Sequence, residues 1–575
     1  MPSGFWIKQP SEAVDVPGTV VMLLPGNRTS KNSPEQSPPP NGEDAGQLKL
    51  NKHGIVLNPQ PHDNPNDPLN WPIWRRDIAL GVIGFYSFII GGMTPVLAPV
   101  MTEFKTTFHE SLNTLTYLVG AFMMAMGVSS LFFAPSAVLY GKRFIYLVSQ
   151  VIFFGSCLWG AKAKSFGSLL GARILMGIGS GPAESLPSAS IAEIFFAHER
   201  AYRTGIYTLL LLGGKNLIPL VSGFVANSLG WHWIFWILAI IAGTFMLLTF
   251  LFVHETWWER IAVPNQRSIK ESEMAERARQ QMHRPAWQPH PDSSEHTRDC
   301  ETINNDMPAA AGKDVESETD SRTVFERKPF FANLAVYTGR KCDSSWSKVF
   351  LRPFALYIYP PILFSTLLYG TSVVWLSVIA ETISTIFSQE PYNFPVTSIG
   401  LLYLGTFIGG CLGSAVAGLI SDRIVRYMSS HNCGIYEPEF RLIMVGPVLI
   451  SVTIGLMGFG WSTFDKDLWI VPTIFLGILG FGTSLGSTVA ITYAVDSYRI
   501  YAAEALVSLN FAKNAMGFGF AIFVPIFFHK SGGRTSYIVY GSVEIGVCLL
   551  AIPLYRYGKL WRKYMHEHDI VKKLY

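Results

Sequence analysis

Apolar and polar residues follow one another in long blocks along this chain, not at the short periods of a soluble fold. Twelve stretches of mostly apolar residues stand out: 78–101, 113–134, 144–163, 167–190, 204–227, 233–253, 354–379, 398–420, 442–462, 469–491, 503–528 and 536–555. Each has about the twenty residues a helix needs to cross a bilayer. They fall into two sets of six. Between them, residues 254–352 include ESEMAERARQQMHRPAWQPHPDSSEHTRD, too polar for a packed core. The pattern predicts an all-α integral membrane protein with twelve transmembrane helices in two pseudo-symmetric six-helix bundles, 77–253 and 353–555. A disordered cytoplasmic tail is expected over 1–76, a cytoplasmic loop over 254–352 and a second tail over 556–575. A short amphipathic piece near 329–350 is expected on the membrane surface.

Composition narrows the class further. The 575 residues are 49% hydrophobic and only 15% charged, against ~25% charged in a soluble protein. The net charge of +4 fits basic cytoplasmic loops better than nucleic-acid binding. Arg75, Arg76, Lys142, Arg143, Arg200, Arg203, Arg423, Arg426 and Arg499 fall on one side of the predicted spans, which places both termini inside. VVMLLPG at 20–26 is too short for the core of a cleaved leader, so the tail is expected to stay. The six cysteines form no CxxC pair, so no metal or disulfide framework is expected. GFGTSLGS at 480–487 superficially resembles a phosphate loop, but it lies inside a span and lacks the lysine. Helix packing explains those glycines better. No cofactor, ATP or catalytic role is expected.

The candidate chemistry lies in charges inside apolar spans, where a cation near the bilayer centre costs roughly 3 kcal/mol or more and needs a partner, water or a function. Lys215-Asn216 sits within span 5 and Lys513-Asn514 within span 11, offset by 298 residues. Each lies about ten residues, or ~15 Å, past the inside end of its helix, near the midplane. In span 4, Arg173 and Glu184 are 11 apart and share one helix face. Glu184 is at a depth similar to Lys215, so a Glu184–Lys215 ion pair is expected, structural or coupling. Pro219 lacks an N–H and frees the carbonyl of residue 215, which Asn216 or water would satisfy. Asn510 and Asn514 share a face that Lys513 adjoins, as cavity lining or as glue between helices. With no acid near it in sequence, Lys513 is expected to meet substrate. Trp375 is deep enough in span 7 to face a cavity. Glu544 in span 12 could answer Lys530 or a neighbouring polar group. Gly405, Gly409, Gly413 and Ala417 recur every fourth residue in span 8 and signal close helix packing.

Several segments are similar to a known family. APSAVLYGKRF keeps Gly141-Lys142-Arg143 of a loop motif but has Val138 where its acid belongs; GLISDRIVR, after span 8, keeps Asp422, Arg423 and Arg426. LLGARILMGIGSGPAE carries Arg173; IPLVSG keeps Pro219 and Gly223; GWHWIFWI and VHET bracket span 6; DSYRIYAAEAL precedes span 11. In order and spacing these resemble the major facilitator superfamily, its fungal twelve-span drug:proton antiporter type, over nearly all of the chain from residue 67 to 564. The resemblance implies alternating access driven by a proton gradient. It implies gating roles for Asp422, Arg423, Arg426, Gly141, Lys142, Arg143, Pro219 and Gly223, with Asp422 paired to Arg426; solvated loop charges are the alternative. The expected function is efflux of small organic molecules, such as drugs or secondary metabolites, by a monomer in the plasma membrane. The vacuolar membrane is the alternative location. Uptake of organic cations or polyamines through Glu184, and a transport-dead sensor signalling through the central loop, are the alternative functions.

Overall fold

The computed structural model describes residues 6–8, 16–21, 61, 64–258, 334–341, 345–432, 435–568 and 571–574. We number its long helices in chain order. The first half holds α1 (Ile73–Gly92), α2 (Tyr117–Tyr140), α3 (Lys142–Ala161), α4 (Phe166–Ile194), α5 (Ala197–Leu229) and α6 (His232–Phe252). The second holds α7 (Pro360–Phe387), α8 (Val396–His431), α9 (Val445–Phe464), α10 (Ile470–Ser497), α11 (Ala502–Ser531) and α12 (Gly533–Leu549), which continues as Ala551–Glu567. Eleven of them, with their extensions, are both long and apolar enough to cross a membrane. The exception is α4, which carries Arg173, Glu184 and Glu193 among glycines and serines. It packs against α2 and α3, so protein takes the place of lipid along much of its surface. After α1 the chain runs on through a 3-10 segment, Pro95–Val100, into a helix at Met101–Phe108, seven residues past the expected end of the first span.

The two halves repeat one packing plan. In the first, α1 packs on α5, α2 on α4, and α3 on α4 and α6. In the second, α7 packs on α11, α8 on α10, and α9 on α10 and α12. Adding six to each helix number converts one set into the other, so the repeat seen in the sequence is a repeat in space. The halves meet along α2–α11 and α5–α8, a pair of seams that exchange under the same operation. Small residues make these contacts close, because in lipid association rests on packing. A Cβ at Gly409 would stand 1.9 Å from the Gly477 carbonyl oxygen, and one at Gly413 2.4 Å from that of Phe481. The fourfold glycine spacing of span 8 is therefore the α8–α10 contact, and Gly480 of GFGTSLGS meets Thr406 across it.

At the end of the bundle that bears both termini, buried charges tie helices together. Gly141 turns the chain from α2 into α3 with φ +93°, a conformation open to glycine. The Glu255 carboxylate sits where a Cβ would go, 2.3 Å away. It accepts the backbone N–H groups of Lys142 and Arg143, each at 3.2 Å, at the positive end of α3. The acid missing at Val138 is thus supplied from beyond α6. Lys142 pairs with Glu193 at 2.5 Å, and Arg143 donates to the Val253, Phe250 and Leu334 carbonyls. In this state these three residues bond within their own half. Below α8, Arg426 reaches only the main-chain carbonyl of Asp422, at 3.3 Å, so the expected side-chain pair is not formed. The cation nearest that carboxylate is Arg441, 3.9 Å away, which bonds Asp496 at 2.5 Å. Arg423 and Arg426 are exposed.

The terminal segments are docked where they are described. Val20–Val21 pairs antiparallel with Ile435–Tyr436. Thr19 donates to Glu437 at 2.7 Å, and Arg562 donates to the Pro17 carbonyl. Arg562 is fully buried and bonds both Glu437, at 3.0 Å, and Glu439, at 2.7 Å; Lys559 adds a bond to Glu437. Burial alone would raise the Glu437 carboxyl, but Lys559 and Arg562 hold it below its ordinary value. Within the stretch expected as the C-terminal tail, residues up to Glu567 continue the last helix and dock through Lys559 and Arg562. Of the amphipathic piece, Trp346–Ala355 is a helix that lies against α2 and α11, with Trp346 bonded to Ser136. Most of the central loop lies outside the described residues.

Candidate functional site

Prolines in α4 and glycines in α2 create the site. Pro187 has no N–H to give the Ala183 carbonyl. That carbonyl instead accepts from Ser87 of α1, at 3.0 Å, and from Tyr207 of α5, at 3.5 Å. Such bonds satisfy freed backbone groups inside a membrane and hold the middle of α4 in place. On α2, Gly127 lets α11 approach until its Cβ position lies 2.8 Å from the Asn514 Cβ. Because α2 packs on α4 as well, this crossing carries the polar face of α11 across the seam to Glu184.

There Glu184 meets the other half. Its Oε1 accepts from the Lys513 ammonium. Its Oε2 accepts from Asn514 at 3.1 Å, and its main-chain carbonyl from Asn510 at 3.4 Å. Asn510 in turn accepts the Tyr369 hydroxyl at 3.3 Å, and Lys513 lies 5.6 Å from the Tyr369 ring centre. Lys513 is 2% exposed. The expected pairing was Glu184 with Lys215, leaving Lys513 for substrate; the structure has the opposite arrangement. The reason is helical phase. Gly214 is the α5 residue pressed on α1, its Cβ position 1.8 Å from the Phe88 carbonyl oxygen. Lys215, one residue on, is turned toward the α5–α8 seam.

Among the described residues Lys215 makes no hydrogen bond or ion pair. With Asn216, Ser377, Tyr403 and Thr406 it lines a space between the halves of about 20 Å³, room for about one water. Asn216 donates to the Leu212 carbonyl at 3.2 Å, not to that of residue 215. Gly223, past Pro219, puts α5 close to the start of α8, 3.1 Å from the Val396 carbonyl oxygen to its Cβ position. At this end, away from the termini, the halves touch; Pro95–Val100 also packs on α7.

Two expected site residues, Arg173 and Trp375, lie elsewhere. Arg173 is fully buried and donates to the Met93 and Leu118 carbonyls, at 2.8 and 3.1 Å. It staples the irregular end of α1 and the start of α2, and does not face the cavity. Trp375 is fully buried, donating to Glu544 at 2.9 Å and stacking on Tyr540. Glu544 accordingly answers neighbouring polar groups, Trp375 and Cys548, the second of its two expected kinds of partner, and not Lys530. One acid escaped the sequence reading. The expected seventh span stopped at 379, but α7 continues to Phe387 and carries Glu381, 8% exposed and without a hydrogen bond to Oε2. The apolar ISTIF after Glu381 is the signal that could have extended the span.

Two six-helix halves and a buried ion pair bridging them define a membrane transporter architecture. Residues 82–522 match the Major Facilitator Superfamily family model, and the chain belongs to that superfamily. Among its relatives, Protein HOL1 of Saccharomyces cerevisiae is 27% identical over 546 residues, covering 90% of this chain and 92% of that protein. An efflux pump, vrtL, of Penicillium aethiopicum is 25% identical over 494 residues, covering 84% of this chain and 86% of the pump. Among solved structures, that of the D-xylose-proton symporter superposes with a TM-score of 0.53 at 14% identity, covering 83% of this chain and 97% of the symporter. That likeness speaks to the fold alone. The chain is a multi-pass membrane transporter of this superfamily, not an enzyme.

Proposed function

We propose that this chain exports small organic molecules from the cell in exchange for protons, with Glu184, Lys513 and Asn514 as the switch between its two halves. The observation that carries the reading is the Glu184–Lys513 pair itself. It spans the seam, lies within the membrane, and must be broken and remade if the halves rock. A charge left without its partner there is costly, so whatever neutralises one member releases the other. A proton on Glu184 frees Lys513; a carboxylate-bearing substrate can then take Glu184's place on the ammonium. Lys215, whose ammonium borders the seam space, adds a second positive charge, so the cargo class this site favours is anionic or polar. An efflux pump among the relatives supports the direction. The basic loops support cytoplasmic termini, and the plasma membrane fits export. Organic-cation uptake through Glu184 has less support, because its carboxylate is already occupied by Lys513 and the Asn514 amide.

The test is flux in proteoliposomes under an imposed pH gradient, with anionic, neutral and cationic cargo in parallel. Proton-driven movement of anionic cargo that Lys513→Ala abolishes and Lys513→Arg partly restores supports the reading. Equal flux in Lys513→Ala, or no dependence on the gradient, overturns it.

A further inference from the structure

Glu381 lies in the distal half of α7, the end away from the termini. Its side chain is 8% exposed, and among the described residues its Oε2 has no hydrogen-bond partner and the carboxylate forms no ion pair. It borders a small space, about 20 Å³, closed by Met101 and Thr116 of the first half and by Thr385, Pro525, Phe528 and His529 of the second. The space therefore lies in the seam between the halves. Residues 381, 382 and 385 point to one side of α7 and residues 376, 379 and 383, which line the Lys215 space, to the other, at about 100° of turn per residue, while Ser377 of that space lies one turn from Glu381. The two spaces are separately bounded and adjoin along α7. The ionisable groups that face Glu381 are His529 on α11, Tyr403 on α8, and Tyr537 and Tyr540 on α12. Tyr537 bonds Thr382 at 2.6 Å, and the Tyr403 and Tyr540 hydroxyls lack partners. Glu103 and Lys105, on the Met101–Phe108 helix that adjoins α7, make no hydrogen bond or ion pair with Glu381.

A bare carboxylate in this dry seam would carry its full desolvation cost. Every other acid in the buried part of a span described above has a compensating donor: Glu184 has Lys513 and Asn514, and Glu544 has Trp375. Glu381 has none, and the seam around it holds a water at most. A proton is the one positive charge that fits.

We propose that Glu381 is a proton-binding site that couples closure of the distal seam to uptake of one proton from the distal solution. When the seam is open, water solvates the carboxylate. On closure, a hydronium ion gives its proton to a Glu381 carboxylate oxygen and leaves as water, and the neutral acid enters the dry seam. Reopening returns the proton to water. The inference rests on alternating access and on the orientation proposed above, which places the distal end outside, but not on Glu184 or on any cargo.

Thr116, 6% exposed in this closed seam, reports the motion. The full-length chain carrying Thr116→Cys would be labelled in sealed vesicles, without substrate, by a membrane-impermeant thiol reagent, each rate divided by that of the detergent-denatured chain at the same pH to remove the thiolate's own pH dependence, and read against the parent without the added cysteine. Acidifying the external side should slow labelling, by up to about tenfold per pH unit for a one-proton linkage. Adding Glu381→Gln, a permanent mimic of the neutral acid, should leave labelling slow at every pH. Glu381→Asp should keep the pH response, which separates lost titration from a misfolded seam. A pH response that persists in Glu381→Gln, that is absent from the Thr116→Cys chain, or that His529→Gln removes in place of Glu381→Gln overturns the proposal. Because no cargo is present, failure here and failure of the export reading are read from different measurements.

Discussion

Removing the Lys513 side chain while leaving Glu184 should be far more damaging than removing both charges. In Lys513→Met, Glu184 keeps one amide donor from Asn514, at 3.1 Å, and loses the cation bonded to it. Breaking a buried pair from one side costs about 3–5 kcal/mol, and Glu184→Gln should cost about as much by leaving Lys513 inside the seam. In Glu184→Gln/Lys513→Met neither charge remains, and the glutamine still accepts from Asn514. The double variant should therefore recover most of the loss, giving a coupling energy of about 2 kcal/mol or more. Denaturation of the purified protein in mixed micelles, followed by tryptophan fluorescence over the four members of the cycle, measures it. Independent sites add to within about 0.5 kcal/mol, so a coupling that small would refute a direct pair. The same cycle run on Lys215 and Glu184 should give the smaller number, because Lys215 makes no bond to Glu184.

Further outcomes are expected. Gly409→Leu should collapse expression or stability, since even a Cβ there stands 1.9 Å from the Gly477 carbonyl oxygen; overpacking of this kind costs about 1–3 kcal/mol or more, read as a lower melting temperature in detergent. Arg173→Lys should destabilise while leaving cargo selectivity unchanged, because the guanidinium holds two main-chain carbonyls; a change in selectivity would put Arg173 back in the cavity. His254, beside Trp71, is pushed down to about 4 by burial and by the Arg75 and Arg143 guanidiniums. The native chain then binds fewer protons than the unfolded one between that value and the ordinary 6.5, so stability should fall as pH drops through this window. His254→Gln should flatten the melting temperature across it.

Much of the fold was legible because membrane crossing is written in length and hydropathy, and each span supplies its own signal. The repeat was legible because Lys215 and Lys513 occupy equivalent helices, and the spatial plan of the halves repeats accordingly. The partner of Glu184 was not legible. Matching depth and nearness in sequence pointed to Lys215, whereas the pairing with Lys513 rests on how α11 crosses α2 at Gly127, a long-range contact. Glu381 was lost to a boundary placed eight residues short of the helix end. The acid missing at Val138 could not be found locally, since Glu255 stands in from 117 positions further along. Trp375 read as a cavity aromatic because its depth was visible and its azimuth was not.

The short strand at Val20–Val21 has a consequence in time. Its partners, Ile435–Tyr436, and the Arg562 that grips the Pro17 carbonyl are made long after it; Arg562 follows Thr19 by 543 residues. The strand must wait until residues 435–437 are made, and the grip on Pro17 until Arg562 is. The strand's docking is then completed late in assembly, and a chain truncated before residue 562 would keep the strand pairing but lose the Arg562 contacts that close over it.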